Sequence, residues 1–334
     1  MTITNDITEW KLRSSEEFAS YFQTELAPCI AACEADRQRA ARNATTVAII
    51  AVVLGIIAAL MILGSGGPPI ALLMVAIGAI AVAAIGGGMA TSGFKQRYKR
   101  NLIAQVVRFF GPDFEYQPEN CVSENRFLQS RIFEQSIDRF KGEDYISGTA
   151  GKTRFECSEL HAEYKTTSTD SKGRHQTQWH TIFKGLYFTA DFNKHFNGIT
   201  LVLPDVAEAS FGWLGQKLQG MNFSRPGDLV KLEDPEFEKL FVVYGTDQVE
   251  ARYILAPALM RRLIDVRRKI GRAVHLSFKD ECVFVAMDPG KNLLEPKLFS
   301  PVSYESCCGA FADLRLVLEI IEDLNLNTRI WTKQ

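Results

Sequence analysis

Hydrophobic and polar positions follow three different patterns along this chain. Near the start, Phe18, Tyr21, Phe22 and Leu26 recur at helical spacing behind Ser14-Ser15-Glu16-Glu17. Ser14 and Glu17 stand in capping-box register, so a helix is predicted to begin at Ser14 and to be interrupted at Pro28. The polar face then disappears, for no residue from Asn43 to Phe94 is charged at neutral pH. Within that stretch, Val47 to Leu63 and Ile70 to Ala90 are runs of 17 and 21 apolar or small residues. At ~1.5 Å rise per residue they reach roughly 26 and 32 Å, against a hydrocarbon layer of about 30 Å. Gly66, Gly67, Pro68 and Pro69 lie between them and predict a tight turn, so the two runs read as a transmembrane helical hairpin.

Beyond the hairpin the helical period resumes from Phe94 to Phe110, with Tyr98, Leu102, Ile103, Val106 and Phe110 on one side and Gly111-Pro112 as the stop. A further helix is expected over Asn125 to Phe140. From Glu143 the pattern shortens to alternation. Strands are predicted at 144–148, 155–164, 179–192, 199–203, 237–244, 252–255, 274–278 and 282–287. In the second of these the apolar phase moves from Phe155 and Cys157 to Leu160, Ala162 and Tyr164, which suggests a bulge near Ser158-Glu159. Thr166 to Arg174 reads as a long polar hairpin loop. Helices are expected at Pro257 to Ile270, stopped by Gly271, and at Ala310 to Leu324. The fold class is therefore α+β: a transmembrane helical hairpin plus a mostly antiparallel β domain with a few packing helices. The expected divisions are an N-terminal helical segment (1–43), the hairpin (44–92), juxtamembrane helices (93–141) and the α+β domain (142–334).

Charge changes the picture by its placement. With 38 basic and 39 acidic residues in 334, there is no global excess to attract nucleic acid. Locally, Arg37, Arg39 and Arg42 precede the first span, and Lys95, Arg97, Lys99 and Arg100 follow the second, while the turn between has no basic residue. The positive-inside bias then places both termini in the cytoplasm. Arg42, Lys95, Arg97, Lys99 and Arg100 become candidate lipid-headgroup contacts. Small residues recur every fourth position at Ala51, Gly55, Ala59 and at Ala79, Ala83, Gly87. Two readings follow: the spans pack against each other, or the stripes carry self-association into a homo-oligomer. The first apolar run starts some forty residues in, which argues against a secretory leader, and seven irregularly spaced cysteines point to reduced thiols.

Candidate chemistry is sparse. Ala150-Gly151-Lys152-Thr153 resembles the end of a phosphate-binding loop, but Ile146 stands where its first glycine belongs and a strand follows where a helix is needed. Cys29 and Cys33 lie one helical turn apart and want two further ligands to hold zinc; Cys157, His161, His175 and His180 match no metal spacing. No catalytic residue, metal or cofactor is assigned. Acidic residues gather at Glu233, Asp234, Glu236, Glu238, Asp247 and Glu250, with Glu236 and Glu238 expected on one strand face. The next helix is basic on its polar side. Asp247, Glu250, Arg252, Arg261 and Arg262 are taken as a candidate partner surface, the alternative being charge complementarity within the fold.

The residues from Phe237 to Leu263, with Val274 to Phe278 and Leu293 to Phe299, resemble a bacterial membrane protein family known as domain of unknown function 3137; Gly142 to Gly148 and Glu159 to Tyr164 are also similar to it. The resemblance implies two spans before a cytoplasmic domain, and a threonine cap where this chain has Ala256. It implies no activity. The expected function is accordingly a non-enzymatic integral membrane protein whose cytoplasmic domain binds a protein or lipid partner, with a membrane-tethered hydrolase using the acidic residues as the alternative.

Overall fold

The structure, a computed structural model, describes residues 11–169, 173, 175–192, 196–205 and 226–324. Two compact units are present, Ser14–Phe109 with Leu294–Ala312, and Phe110–Leu293 with the residues up to Arg13 and those from Asp313.

The first unit is helical. Helix α1 (Ser15–Tyr21) opens with the expected capping box, Glu17 N donating to Ser14 Oγ at 3.2 Å and Ser14 N to Glu17 Oε2 at 2.7 Å. Pro28 does not break the chain's helical path. One π-helical turn, Phe22–Leu26, leads into α2 (Ala27–Gly64), and Pro28 falls in the first turn of α2, where a missing N–H is tolerated. After a turn with Gly66 at φ 69°, α3 (Pro69–Tyr98) returns, followed by a second π-helical turn, Lys99–Ile103, and α4 (Ala104–Phe110).

Both predicted spans lie wholly inside α2 and α3. These helices are long and apolar enough to cross a membrane, with only 6% and 0% of their most apolar windows buried within the protein. Leu60, Ile80 and Met89 are among the side chains left exposed. A soluble core helix would bury such residues; here hydrocarbon is the solvent that suits them. The two helices pack antiparallel. A Cβ at Gly55 would sit 3.1 Å from the Ala79 Cβ, and one at Gly86 would sit 2.6 Å from Val47 Cγ1. Gly87, expected in the packing stripe, faces open space, and its neighbour Gly86 makes the close approach instead.

The second unit is a nine-stranded sheet in which every described pairing is antiparallel. In chain order the strands are β1 (Glu115–Gln117), β2 (Arg139–Ala150), β3 (Thr153–Thr169), β4 (His175–Asp191), β5 (Ile199–Pro204), β6 (Asp228–Val230), β7 (Phe241–Gly245), β8 (Val274–Lys279) and β9 (Cys282–Met287). Across the sheet they run β1-β2-β3-β4-β9-β8-β5-β7-β6. Its two edges are only three residues long, which limits their use as templates for further strands. At the centre, β9 is buried at every position, because both faces of the sheet are covered. One face holds Phe127, Leu160, Ala162, Phe183, Tyr187, Phe284 and Ala286. Phe127 comes from α5 (Glu124–Gln129), a single short helix where a longer one was predicted. The left-handed Arg131, at φ 56°, closes that segment before β2 begins.

The phase change in β3 has a different cause from the one expected. Its pairing with β4 runs unbroken from Phe155 to Ala162; the extra residue lies in β2, where Asp144 and Tyr145 together oppose Ser158. The apolar positions switch because different elements cover the two faces. Phe155 meets Phe114 at 5.1 Å on one side, while Leu160 and Ala162 join the Phe127 cluster on the other. Two predicted strands are replaced in part or whole by helices. Asp234 caps α6 (Pro235–Leu240), so β7 starts only at Phe241, and Asp247 caps α7 (Gln248–Ile254). In both, the aspartate side chain accepts two backbone N–H bonds, and these caps outweigh a few residues of apolar alternation. Helix α8 (Pro257–Ile270) has its predicted bounds and left-handed Gly271 stop, and α9 (Tyr304–Asp323) begins six residues earlier than expected. Ala256 makes no side-chain cap. The tip of the predicted polar loop, 170–172 and 174, lies outside the described residues.

Candidate functional site at the base of the apolar hairpin

Below the apolar parts of α2 and α3, an aromatic layer locks the helices together. Phe18 stacks on Phe311 at 4.5 Å and meets Phe109 edge-on at 5.4 Å; Tyr21 lies 4.8 Å from Phe109, and Phe22 4.7 Å from Tyr304. The chain from Leu294 to Val302 runs over this base as an irregular strap. Two ion pairs and two hydrogen bonds fasten it. Glu295 receives Lys95 Nζ at 2.9 Å and Lys99 Nζ at 2.7 Å; Arg37 NH1 donates to the Leu298 carbonyl at 2.8 Å; Val302 N donates to Glu34 Oε2 at 2.9 Å. Glu34 also accepts Arg37 Nε at 2.8 Å and Gln38 Nε2 at 2.9 Å. The guanidinium of Arg37, above the cost of burial, holds the Glu34 carboxyl down at about 2.

Beside the aromatic layer is a cleft of roughly 240 Å³ lined by Cys29, Cys33, Asp36, Arg100, Asn101, Gln105 and Arg108, among others. Arg100 and Asn101 belong to the second π-helical turn, which widens the helix at this point. Asp36 is engaged by Arg97 Nε at 2.7 Å, and Gln105 Nε2 donates to Cys29 Sγ at 3.2 Å. The walls therefore carry both signs of charge, Asp36 with Arg100 and Arg108, beside the amides of Asn101 and Gln105. The buried thiols of Cys33 and Cys307 are held protonated. Burial, with Cys29 nearby, pushes Cys33 up to about 11, and burial with Cys308 and Cys33 pushes Cys307 up to about 12.

The proposed headgroup contacts are thus placed unequally. Arg42 is exposed on α2, its Nε donating to the Gln38 carbonyl at 3.4 Å. Arg97 and Arg100 are also exposed. Lys95 is split between solvent and Glu295, whereas Lys99 is 2% exposed and turned inward to the same carboxylate. Glu34 and Glu295 escaped sequence reasoning. Glu34 left a local trace, with Arg37 and Gln38 at helical spacing, but nothing in the sequence near Glu295 points to lysines almost two hundred positions earlier.

In the sheet unit, the predicted partner residues are used largely within the fold. Asp247 is the α7 cap, and Glu250 accepts Asn197 N and Gly198 N, each at 2.8 Å. Arg261 bonds Glu236 at 2.7 Å, Arg268 bonds the same carboxylate, and Arg262 donates to the Glu322 carbonyl at 3.0 Å. Glu236 and Glu238 lie on a helix, not a strand face, and Glu238 accepts Leu232 N at 3.0 Å. Charge complementarity within the fold accounts for these. Arg252 remains at the surface of α7, and Val249 and Tyr253, 77% and 52% exposed, lie one turn apart on the same helix. Leu229 on the edge strand β6 is also exposed, its carbonyl receiving Gln248 Nε2 at 3.0 Å.

Among the described residues, one group of three acidic side chains approaches metal-binding geometry. Oxygens of Glu143, Asp144 and Glu159 lie within 4.8 Å of one another at the β2 bulge. Protein donors already reach into it, for Tyr116 Oη donates to Asp144 and Leu293 N to Glu159. His161, His175 and His180 are instead strung along the β3–β4 ribbon beside Thr181, Thr169 and Thr166.

Fold and site together define an α+β protein with a two-helix apolar hairpin and a strand-rich domain. Residues 181–326 match the model of the family described as protein of unknown function (DUF3137), the family that the sequence resembles. The match takes in the motifs from Phe237 to Phe299 and leaves Gly142 to Gly148 and Glu159 to Tyr164 outside. No curated protein matches the chain. Among solved structures, the mycobacterial trehalose monomycolate transport factor A, TtfA, is similar at 12% identity with a TM-score of 0.31, over 69% of this chain and 97% of that one. A likeness that slight bears no weight for function.

Proposed function

We propose that this chain is a two-span protein of the bacterial inner membrane, with both termini cytoplasmic and the strand-rich domain acting as a non-enzymatic module that binds a protein or lipid partner. The observation that carries the reading is the exposure of nearly every large aliphatic side chain along the charge-free segments, 47–63 and 70–90, of two antiparallel helices. Arg42, Lys95, Arg97 and Arg100 stand at the base of the hairpin, on the side the positive-inside bias assigns to the cytoplasm. Arg42 and Lys95 each lie five residues outside the apolar runs, about 7.5 Å along the helix, the depth of a headgroup layer. Lys99 serves the strap instead. Of the expected partner surface, Arg252 is exposed on α7, and the exposed Val249, Tyr253 and Leu229 are added to it here.

Fusing a reporter after Gln334 tests the topology. Fluorescence from a protein that folds only in the cytoplasm is expected, whereas activity of a phosphatase that works only in the periplasm sinks the reading. For the partner surface, Val249→Asp with Tyr253→Ala in detergent-purified full chain is expected to remove a co-purifying partner at unchanged thermal stability. Retention of the partner by the double variant moves the binding face elsewhere.

A further inference from the structure

The outermost strands of the sheet are short, but the pair β3 and β4 carries a longer open edge. Strand β9 pairs with β4 only from Leu186 to Asp191. At Gly185 the chain leaving β9 passes so close to β4 that a Cβ there would run into the Met287 carbonyl, and beyond this point β4 has lost its neighbour. On the other side, the pairing of β2 with β3 ends at Arg139 opposite Glu163. From there β3 and β4 continue alone as a two-stranded ribbon, paired without a break from Glu163 opposite Thr181 to Thr169 opposite His175, with the bulge at Ile182 lying at its base. The β3 margin is partly covered, because Lys165 N donates to Asp138 Oδ2 at 2.8 Å. Among the described residues no strand pairs with the β4 margin along the ribbon. His175, Gln176, Thr177, Gln178, Trp179 and Thr181 are exposed along it. The Trp179 indole lies 3.8 Å beneath the guanidinium of Arg139 on β2, which draws it across β3 and away from the free margin.

Two properties of this edge indicate what covers it. First, no Lys, Arg, Asp or Glu occurs from His175 to Phe183. Charges are the usual guard on an exposed edge, and a charged strand repels its own copy; this one sets no like charges against each other at neutral pH in any antiparallel register with itself. Second, a two-stranded ribbon is at best marginally stable in water. Two ribbons joined by their β4 margins make a four-stranded sheet in the order β3-β4-β4-β3, and a two-fold axis lets each copy satisfy the main-chain groups of the other.

We propose that the β4 margin from His175 to Thr181 pairs antiparallel with the same margin of a second copy of this chain, making a two-fold dimer through the sheet unit. This interface is separate from the α7 surface and does not depend on α2 and α3 crossing a bilayer. Gln176 and Gln178 lie on one face of the strand, exposed and without a side-chain hydrogen bond, so changing them tests the dimer and not the fold. By light scattering over a dilution series, the detergent-purified full chain is expected to have the protein mass of two chains. Gln176→Lys with Gln178→Lys, which lines the shared edge with lysines from both copies, is expected to halve that mass at an unchanged thermal midpoint. A parent chain that is monomeric throughout, or a dimer that survives the two lysines, overturns the proposal. A monomeric parent carrying another polypeptide that the lysines release gives the edge to a foreign strand and overturns the second copy. Crosslinking supplies a readout that needs no charge. With a short bis-maleimide, Gln178→Cys is expected to give covalent dimer well above the parent, whose seven cysteines set the background, while Val249→Cys on α7 stays at that background. Should the lysine variant fail to fold, a yield for Gln178→Cys no greater than that for Val249→Cys overturns the proposal by itself.

Discussion

The hairpin and the sheet bury opposite kinds of residue. Between α2 and α3 the close contacts are made by Gly55, Ala79, Gly86 and Val47, while leucines and isoleucines point outward. In the sheet unit the interior is Phe127, Tyr187, Phe284 and their neighbours, and charged groups form surface bridges such as Arg261 with Glu236. On the proposed reading, the difference lies in the solvent each region meets. Aliphatic side chains gain by leaving water, so they collect inside the sheet unit. In hydrocarbon that gain vanishes, and helices associate through close packing of small residues.

Five changes would break or sharpen this comparison. The largest expected effect is Phe284→Ala, which empties a fully buried position in the sheet core and should cost about 3–5 kcal/mol in denaturant unfolding of the detergent-solubilised chain. Ile80→Arg puts a charge on the outer face of α3 near mid-span; a cost of about 2.5–3.5 kcal/mol should appear as a larger fraction released by alkaline carbonate extraction, with the sheet's unfolding midpoint unchanged. If Ile80→Arg leaves extraction untouched, hydrocarbon does not surround that face.

The third concerns protons. His275 lies inside the sheet unit, its ring 5.5 Å from that of Phe133, and burial lowers its pKa from 6.5 to about 4. The folded state therefore holds it neutral while the unfolded chain accepts a proton below pH 6.5, so stability is unaffected above that pH and falls between 6.5 and about 4. The full loss is of the order of 3 kcal/mol, and His275→Phe should flatten this part of the pH profile. Fourth, Gly86→Val drives a stiff side chain into Val47 and should cost about 1–3 kcal/mol in hairpin stability, read by steric trapping in lipid, whereas Gly87→Val one position on should be near neutral. Equal effects at both positions would mean that the described helix pairing is wrong. The smallest is Asp234→Ala, which removes two bonds to the start of α6 and should cost about 1 kcal/mol by thermal unfolding.

Legibility in the sequence followed the range of the interactions. The Ser14–Glu17 box, the two long apolar helices, α8 with its Gly271 stop and strand β9 were all readable, since each depends on neighbours within a turn or on an unbroken apolar run. The two short helices at Asp234 and Asp247 were missed although their capping aspartates were visible, because windows of six or seven residues carry too little periodicity to separate a helix from a strand. The phase change in β3 was seen in the right place but attributed to that strand, when it comes from which elements cover each face.

By itself, then, the amino-acid order determined the character of each part: a charge-free stretch of this length makes two helices apolar enough to cross a membrane, and an alternating one needs a sheet with a covered face. Only the tertiary structure decided that Lys99 turns inward to Glu295, that Glu250 holds the Asn197–Gly198 backbone, and that the strap from Leu294 belongs with the hairpin base. Those outcomes depend on pairings between residues far apart in the chain. Local composition does not encode such distances; the packing of whole elements sets them.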